Sequence, residues 1–222
     1  MIFSVEGNIG SGKSTLCKYI KENFDEHVLT GNRNVYFLDE PVSDWESIKN
    51  SEGNLLENFY KYPDKYAFCF QMAAYISRLV KLKEMLKVIK RDDIIIMERC
   101  VYSDYNIFAR MLYETDKIND IEYQVYKKWF NYFMEDVPCI IFIYIKTDFD
   151  NCHDRVVKRG RKGENNISKE YLKKCEDYHE QWLNMTNNKI VLDGNKDKSF
   201  HGEYLKIIQD LCNNEEFKDN KQ

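Results

Sequence analysis

Gly7-Asn8-Ile9-Gly10-Ser11-Gly12-Lys13-Ser14-Thr15 fits the phosphate-loop pattern of glycine, four residues and Gly-Lys-Ser/Thr without a mismatch. Glycines let successive backbone N–H groups curl around phosphate oxygens. Lys13 adds a point charge near the outer phosphates, and Ser14 offers a hydroxyl to Mg²⁺. The flanks agree with that use. Ile2-Phe3-Ser4-Val5 reads as a short buried strand, and Thr15 to Phe24 as a helix whose positive end faces the anion. The stretch is therefore read as a grip for a nucleoside triphosphate.

Working outward, 222 residues with 43% hydrophobic content suit a single α/β domain with an ample core. A net charge of −4 argues against a general affinity for nucleic acid or anionic membrane and favours a small-molecule substrate. Seven cysteines without Cys-x-x-Cys pairs or metal-ligand spacing read as reduced thiols, which points to the cytoplasm. The longest apolar run, Cys139 to Ile145, is far too short to span a bilayer. Nothing at the start resembles a signal or transit peptide, because the first strand begins almost at Met1 and Glu6 interrupts it.

Four further runs match the first strand: Val35 to Asp39, Ile94 to Met97, Ile140 to Ile145 and Ile190 to Leu192. Continuous apolar runs mean strands covered on both faces. Helical patterns lie between them, over Tyr66 to Lys90, Val101 to Glu114, Ile121 to Met134, Phe149 to Lys158 and Ser168 to Met185. This alternation predicts a doubly wound, five-stranded parallel sheet of the P-loop NTPase type, flanked by helices, over residues 1–212. The polar, Asn- and Lys-rich segment 213–222 is expected to fray. Active residues in such sheets sit just past the carboxyl ends of the strands, which makes Glu40, Glu98 and Arg99 neighbours of the glycine loop.

Glu40-Pro41-Val42-Ser43-Asp44-Trp45 follows the second strand, so a carboxylate and an aromatic wall face the triphosphate. By itself Glu40 can equally be a helix-start acid and Trp45 core. Glu98-Arg99-Cys100 follows the third strand, where nucleotide chemistry needs a carboxylate near Mg²⁺ and a cation near the transferring phosphoryl group. Arg155, Arg159 and Arg161 close a helix and enter a polar stretch, which reads as an arginine-rich lid over about 159–167. A solvated basic face is the ordinary alternative for such a run.

Together these segments resemble the eukaryotic-type deoxynucleoside kinase family. The resemblance runs through the glycine loop, Glu40-Pro41-Val42 with Trp45, Asn54-Leu55-Leu56 leading to Tyr60, and Phe70-Gln71. It continues through Glu98-Arg99, Tyr102-Ser103-Asp104, the arginines with Glu164, Tyr171-Leu172, His179-Glu180 and Trp182-Leu183. It implies phosphoryl transfer from ATP or another triphosphate to the 5′-hydroxyl of a deoxynucleoside. Glu40 would be the general base and Arg99 would contact the 5′-oxygen and phosphates, while residues 7–15 (Gly7, Asn8, Ile9, Gly10, Ser11, Gly12, Lys13, Ser14, Thr15) with Arg155, Arg159 and Arg161 would hold ATP. Tyr60 and Glu164 would hold the 3′-hydroxyl, Gln71 would read the base edge, Trp45, Phe70 and Phe108 would sandwich the base beside Val42, and Ser14 with Glu98 would order Mg²⁺. The family also implies homodimers and feedback by a deoxynucleoside triphosphate that occupies both substrate sites at once. Cys100 and Tyr105 depart from the family's usual serine and arginine.

For the base, Gln71, Ala74 and Arg78 recur at helical spacing and can share one face. Arg78 and Asp104 can form a charge-assisted pair whose spare lone pair accepts from an exocyclic amino group. With the resemblance of these residues to deoxycytidine kinase, this predicts deoxycytidine and purine deoxynucleosides as substrates, deoxyadenosine in particular, and thymidine as a poor one. Two other readings remain open. A nucleoside monophosphate kinase of the thymidylate kinase kind needs a second basic cluster on the acceptor side, where mainly aromatics stand. A nucleotide-switched binding protein needs Asn-Lys-x-Asp, and Asn195-Lys196-Asp197-Lys198 misses that spacing.

Overall fold

The computed structural model describes residues 1–161, 163–164 and 167–214. Parts of the expected lid, at Lys162, Asn165 and Asn166, and of the expected tail, at 215–222, lie outside the described residues.

The chain runs β1 (Ile2–Glu6), α1 (Lys13–Asn23), β2 (Val35–Leu38), α2 (Val42–Ser47), a small hairpin β3 (Lys49–Asn50) and β4 (Gly53–Asn54), α3 (Leu55–Lys61), and α4 (Pro63–Val88). It continues with β5 (Ile94–Glu98), a continuous helical run made of α5 (Val101–Ser103), a π-helical segment (Asp104–Ala109) and α6 (Arg110–Glu114), then α7 (Asp120–Met134). β6 (Ile140–Lys146), α8 (Phe149–Arg159), α9 (Lys169–Asn184), β7 (Lys189–Asp193) and α10 (His201–Asn213) complete it. All five predicted strands form one sheet, in the order β2-β5-β1-β6-β7, with every pairing parallel.

The strands read as unbroken apolar runs because both faces are covered. Phe3, Val5, Ile94, Ile96, Ile141 and Ile143 pack against Leu16 and Ile20 of α1 and Tyr204, Leu205 and Ile208 of α10. The alternate residues Ile2, Ile95, Met97, Ile140 and Phe142 pack against Leu82 of α4, Ile107 of the π-helical segment, and Trp182 and Leu183 of α9. Burying each such side chain contributes on the order of 1.5–3 kcal/mol. The two edge strands are less covered, β2 being half-buried throughout and β7 buried only at Leu192.

Three local outcomes differ from the expectations. The run 101–114 is helical throughout, but its middle widens to a π-helix. There Tyr105 stacks on Phe130 of α7 at 4.3 Å between ring centroids, so this departure from the family fills a core of tyrosines. Asn213, the first residue of the segment expected to fray, instead ends α10, and its Oδ1 accepts from Thr30 N at 2.8 Å and from Arg33 Nη2 at 2.9 Å. Arg155 belongs to the body of α8, as shown below, and not to a lid.

Candidate active site

The glycine loop bends tightly from β1 into α1. Gly12 caps α1 at φ 104°, in the left-handed region, and no side chain satisfies the first turn's N–H groups, so these face an incoming anion. Gly10 (φ 81°) lies so close to α8 that a Cβ there would stand 2.4 Å from the Cys152 carbonyl oxygen. Lys13 is buried and donates to the Asn8 carbonyl at 2.6 Å, curling its ammonium back across the loop. Burial first, and Arg99 second, pull its pKa down to about 8. An anion at the loop would reverse that pull.

Strand ends deliver the other charges to the same place. At the end of β5, Glu98 Oε1 accepts from Ser14 Oγ at 2.7 Å. The next residue, Arg99, takes φ 61°, uncommon for a side chain of its size, while its N–H bonds Val5 O at 3.1 Å. This turn buries the guanidinium 4.9 Å from the centroid of Phe108, and its Nη1 has no hydrogen-bond partner among the described residues. Past β2, Glu40 Oε1 accepts from Arg78 Nη2 at 2.5 Å and lies 3.7 Å from Arg99 Nε. Burial opposes its charge, yet Arg78, Arg99 and Lys13 together hold its carboxyl below the usual range.

A cavity of about 630 Å³ joins these groups, which is room for more than one ligand. At one end Trp45, Phe70, Gln71, Ala74, Arg78, Asp104 and Phe108 line it. Trp45 meets Phe70 edge-on at 5.3 Å, and Arg78 lies over the indole at 5.0 Å. Arg78 Nη1 bonds Asp104 Oδ1 at 2.5 Å. Gln71 Oε1 and Asp104 Oδ2 are buried acceptors with no partner among the described residues. Asp104's carboxyl rises to about 6 because its burial outweighs the pull of Arg78.

Toward the middle stand Tyr60 and Glu164. Arg159 Nη2 donates to Glu164 Oε2 at 2.6 Å, and Arg161 Nη1 reaches Oε1 at 3.4 Å, so two arginines hold one buried carboxylate. Burial, then Glu164's charge, raises the Tyr60 phenol far above its usual range. Arg155 differs from these two. Its Nη1 donates to Ser11 O at 3.1 Å and its Nη2 to Gly194 O at 2.9 Å, which staples the glycine loop to the end of β7.

Most of the predicted residues converge on this cavity. Gly7, Asn8 and Val42 do not line it: Asn8 braces the loop by donating to Leu172 O at 2.8 Å, and Val42 packs behind Trp45. Sequence reading missed Leu56, Phe59, Lys158 and the far arm formed by Asp193, Gly194, Lys196, Lys198, His201 and Tyr204. The spacing of Tyr204, Leu205, Ile208 and Cys212, buried on one face of α10, was the available signal for that arm. Phe59 stacks on Phe70 at 4.6 Å, from a helix opened by the capping box of Asn54 and Glu57.

The deoxynucleoside kinase family matches residues 3–215 of the chain. Among curated relatives, deoxycytidine kinase 2 of Gallus gallus is 32% identical over 98% of this chain and 84% of its own. Deoxycytidine kinase 1 of Xenopus laevis is 33% identical over 99% and 84%. A probable deoxycytidine kinase of fowlpox virus is 36% identical over 89% and 79%. A family match across nearly the whole chain, on a parallel sheet whose strand ends gather the glycine loop, Glu40, Glu98 and Arg99 around one cavity, means that this chain belongs to the deoxynucleoside kinase family.

Proposed function

We propose that this ATP-dependent deoxynucleoside kinase acts on deoxycytidine and on purine deoxynucleosides, deoxyadenosine in particular, with thymidine a poor substrate. The observation that carries this reading is the buried acceptor Asp104 Oδ2 at the aromatic end of the cavity, since Gln71 can turn its amide to suit either kind of base edge. Unmet buried acceptors cost about 1–3 kcal/mol each, so a base that brings an amino donor is favoured over one that brings a carbonyl and a methyl group. The names of the relatives, deoxycytidine kinases, agree.

In this reading Glu40 takes the proton of the 5′-hydroxyl as that oxygen bonds the γ-phosphorus, and the bond from the γ-phosphorus to the β–γ bridging oxygen breaks. Arg99 and Lys13 meet the negative charge, and Tyr60 and Glu164 hold the 3′-hydroxyl. Ser14 and Glu98 are the residues that would hold Mg²⁺. A hydroxyl and a carboxylate 2.7 Å apart are hard oxygen donors of the kind this ion takes when phosphates complete its shell. Bound there, the ion supplies charge neutralisation on the β- and γ-phosphates.

Changing Arg78 to Met and Asp104 to Ala together is expected to raise kcat/KM for thymidine relative to deoxycytidine by roughly tenfold or more, about the 1–3 kcal/mol that separates one such contact from its loss. Both change together, because removing Arg78 alone leaves the buried Asp104 carboxylate without its partner. A steady-state substrate panel checks this. Wild-type protein that prefers thymidine, or a double variant whose preference stays put, would refute the reading.

Feedback is proposed in the bisubstrate mode, with an end-product triphosphate placing its base among the aromatics and its phosphates in the glycine loop, since one cavity spans both. It should compete with nucleoside and with ATP; inhibition noncompetitive toward both excludes this mode. A homodimer is proposed through α4 and α7, where Ile76, Val80, Ile121, Val125, Trp129 and Tyr132 leave apolar surface exposed. A cytoplasmic location is proposed from the seven free thiols.

A further inference from the structure

Arg78 holds two carboxylates that were expected to act separately. Its Nη1 lies 2.5 Å from Asp104 Oδ1 and its Nη2 2.5 Å from Glu40 Oε1, with the Arg78 side chain only 7% exposed. The fork is planar, so one rigid group sets the distance between the two acids. Trp45 stacks against the same guanidinium and donates from Nε1 to Ser77 Oγ at 3.0 Å, which fixes the fork from a third side.

From this geometry we infer that Arg78 is a positioning residue for Glu40, holding the acceptor of the 5′-hydroxyl proton in place and ionised whichever base is bound. This deepens the proposed function and rests on its assignment of Glu40. Several groups face Glu40. Arg78 comes from α4, Arg99 from the end of β5 and Lys13 from α1, while Asp104 reaches it through Arg78. Both acids share one arginine at equal distance, yet they respond in opposite directions. Glu40, 18% exposed and near three cations, is held below the usual carboxyl range, while Asp104, 2% exposed, is raised to about 6. Arg78 is the largest of the influences that lower Glu40.

The sign follows directly. Removing Arg78 leaves burial opposed only by Arg99 and Lys13, so the Glu40 carboxyl must rise and the acidic limb of kcat must move to higher pH. The test measures kcat against pH with saturating deoxycytidine and, separately, thymidine. It compares the wild type with Arg78→Lys, which keeps the charge but loses the fork, and with Arg78→Met/Asp104→Ala, which removes the Arg78–Asp104 pair together and leaves Glu40 facing only Arg99 and Lys13. The limb of the double variant is expected about one pH unit or more higher with either nucleoside, a roughly tenfold loss of kcat at a pH below both limbs. Arg78→Lys should fall between. Carboxylate ¹³C NMR titration of Glu40 in the ligand-free proteins gives the same shift without turnover. It decides the matter should product release mask the proton transfer.

An unmoved Glu40 titration overturns the inference. A merely structural arginine would lower the melting temperature and leave that titration in place. Base preference is read from the same panel and fails independently. If the thymidine to deoxycytidine ratio moves while Glu40 titrates as before, base reading stands and the positioning role falls. If Glu40 moves while the ratio does not, the converse holds.

Discussion

Lys13→Ala and Arg99→Ala are each expected to reduce turnover by roughly 10³-fold or more, because each charge acts where negative charge is held or shifts during transfer. Lys13 is buried against the loop that takes the phosphates, so no exposed lysine can substitute for it. Arg99 lines the cavity from a strained backbone, and its Nη1 is a buried donor without a partner among the described residues. That strain is the arginine's already, so alanine at the same φ adds little, and the variant should fold. Release of ADP in a coupled assay, with the melting temperature recorded beside it, checks both variants. Near-normal turnover in either would place the chemistry elsewhere.

Glu40→Gln is expected to lose roughly 10²- to 10⁴-fold in kcat, the usual cost of removing a general base. Glutamine keeps a carbonyl oxygen for Arg78, so the fork remains satisfied and the fold should persist. It cannot accept the proton. Nucleoside affinity, measured by equilibrium binding, should change far less than kcat. If kcat holds and KM rises, Glu40 is a binding residue and the assigned role is wrong.

The sheet was legible because its three inner strands are buried on both faces and therefore written as largely apolar runs, such as Ile94-Ile95-Ile96-Met97. Glycine loop, Glu40, Glu98 and Arg99 were legible because doubly wound sheets put their chemistry at strand ends. The tie from Arg78 to Glu40 was not. It joins positions 38 residues apart through the tertiary packing of α4 beside β2, and no local periodicity records that distance. Arg155 misled for a related reason: its spacing from Arg159 and Arg161 suggests one basic face, whereas its partners are backbone carbonyls of Ser11 and Gly194. Backbone acceptors carry no side-chain signature. Likewise the π-helical geometry of 104–109 has no pattern of its own, because an apolar face of that length fits an α-helix equally well.

That π-helical segment has a consequence for how the pocket can change. Its i→i+5 ladder holds one residue more than an α-helical turn, so the flanking pieces α5 and α6 are out of phase by about 100° relative to a single straight helix. Asp104 opens the segment and Phe108 lies near its end, both on the cavity, while Ile107 stays in the core beneath. Side-chain swaps adjust such a pocket gradually. Deleting one residue between 104 and 109 would instead close the ladder to α-geometry and swing Phe108 about a quarter-turn away from Asp104. The aromatic wall and the charged reader are thus geared together through chain length, and a single codon gained or lost there would re-aim them in one discrete step.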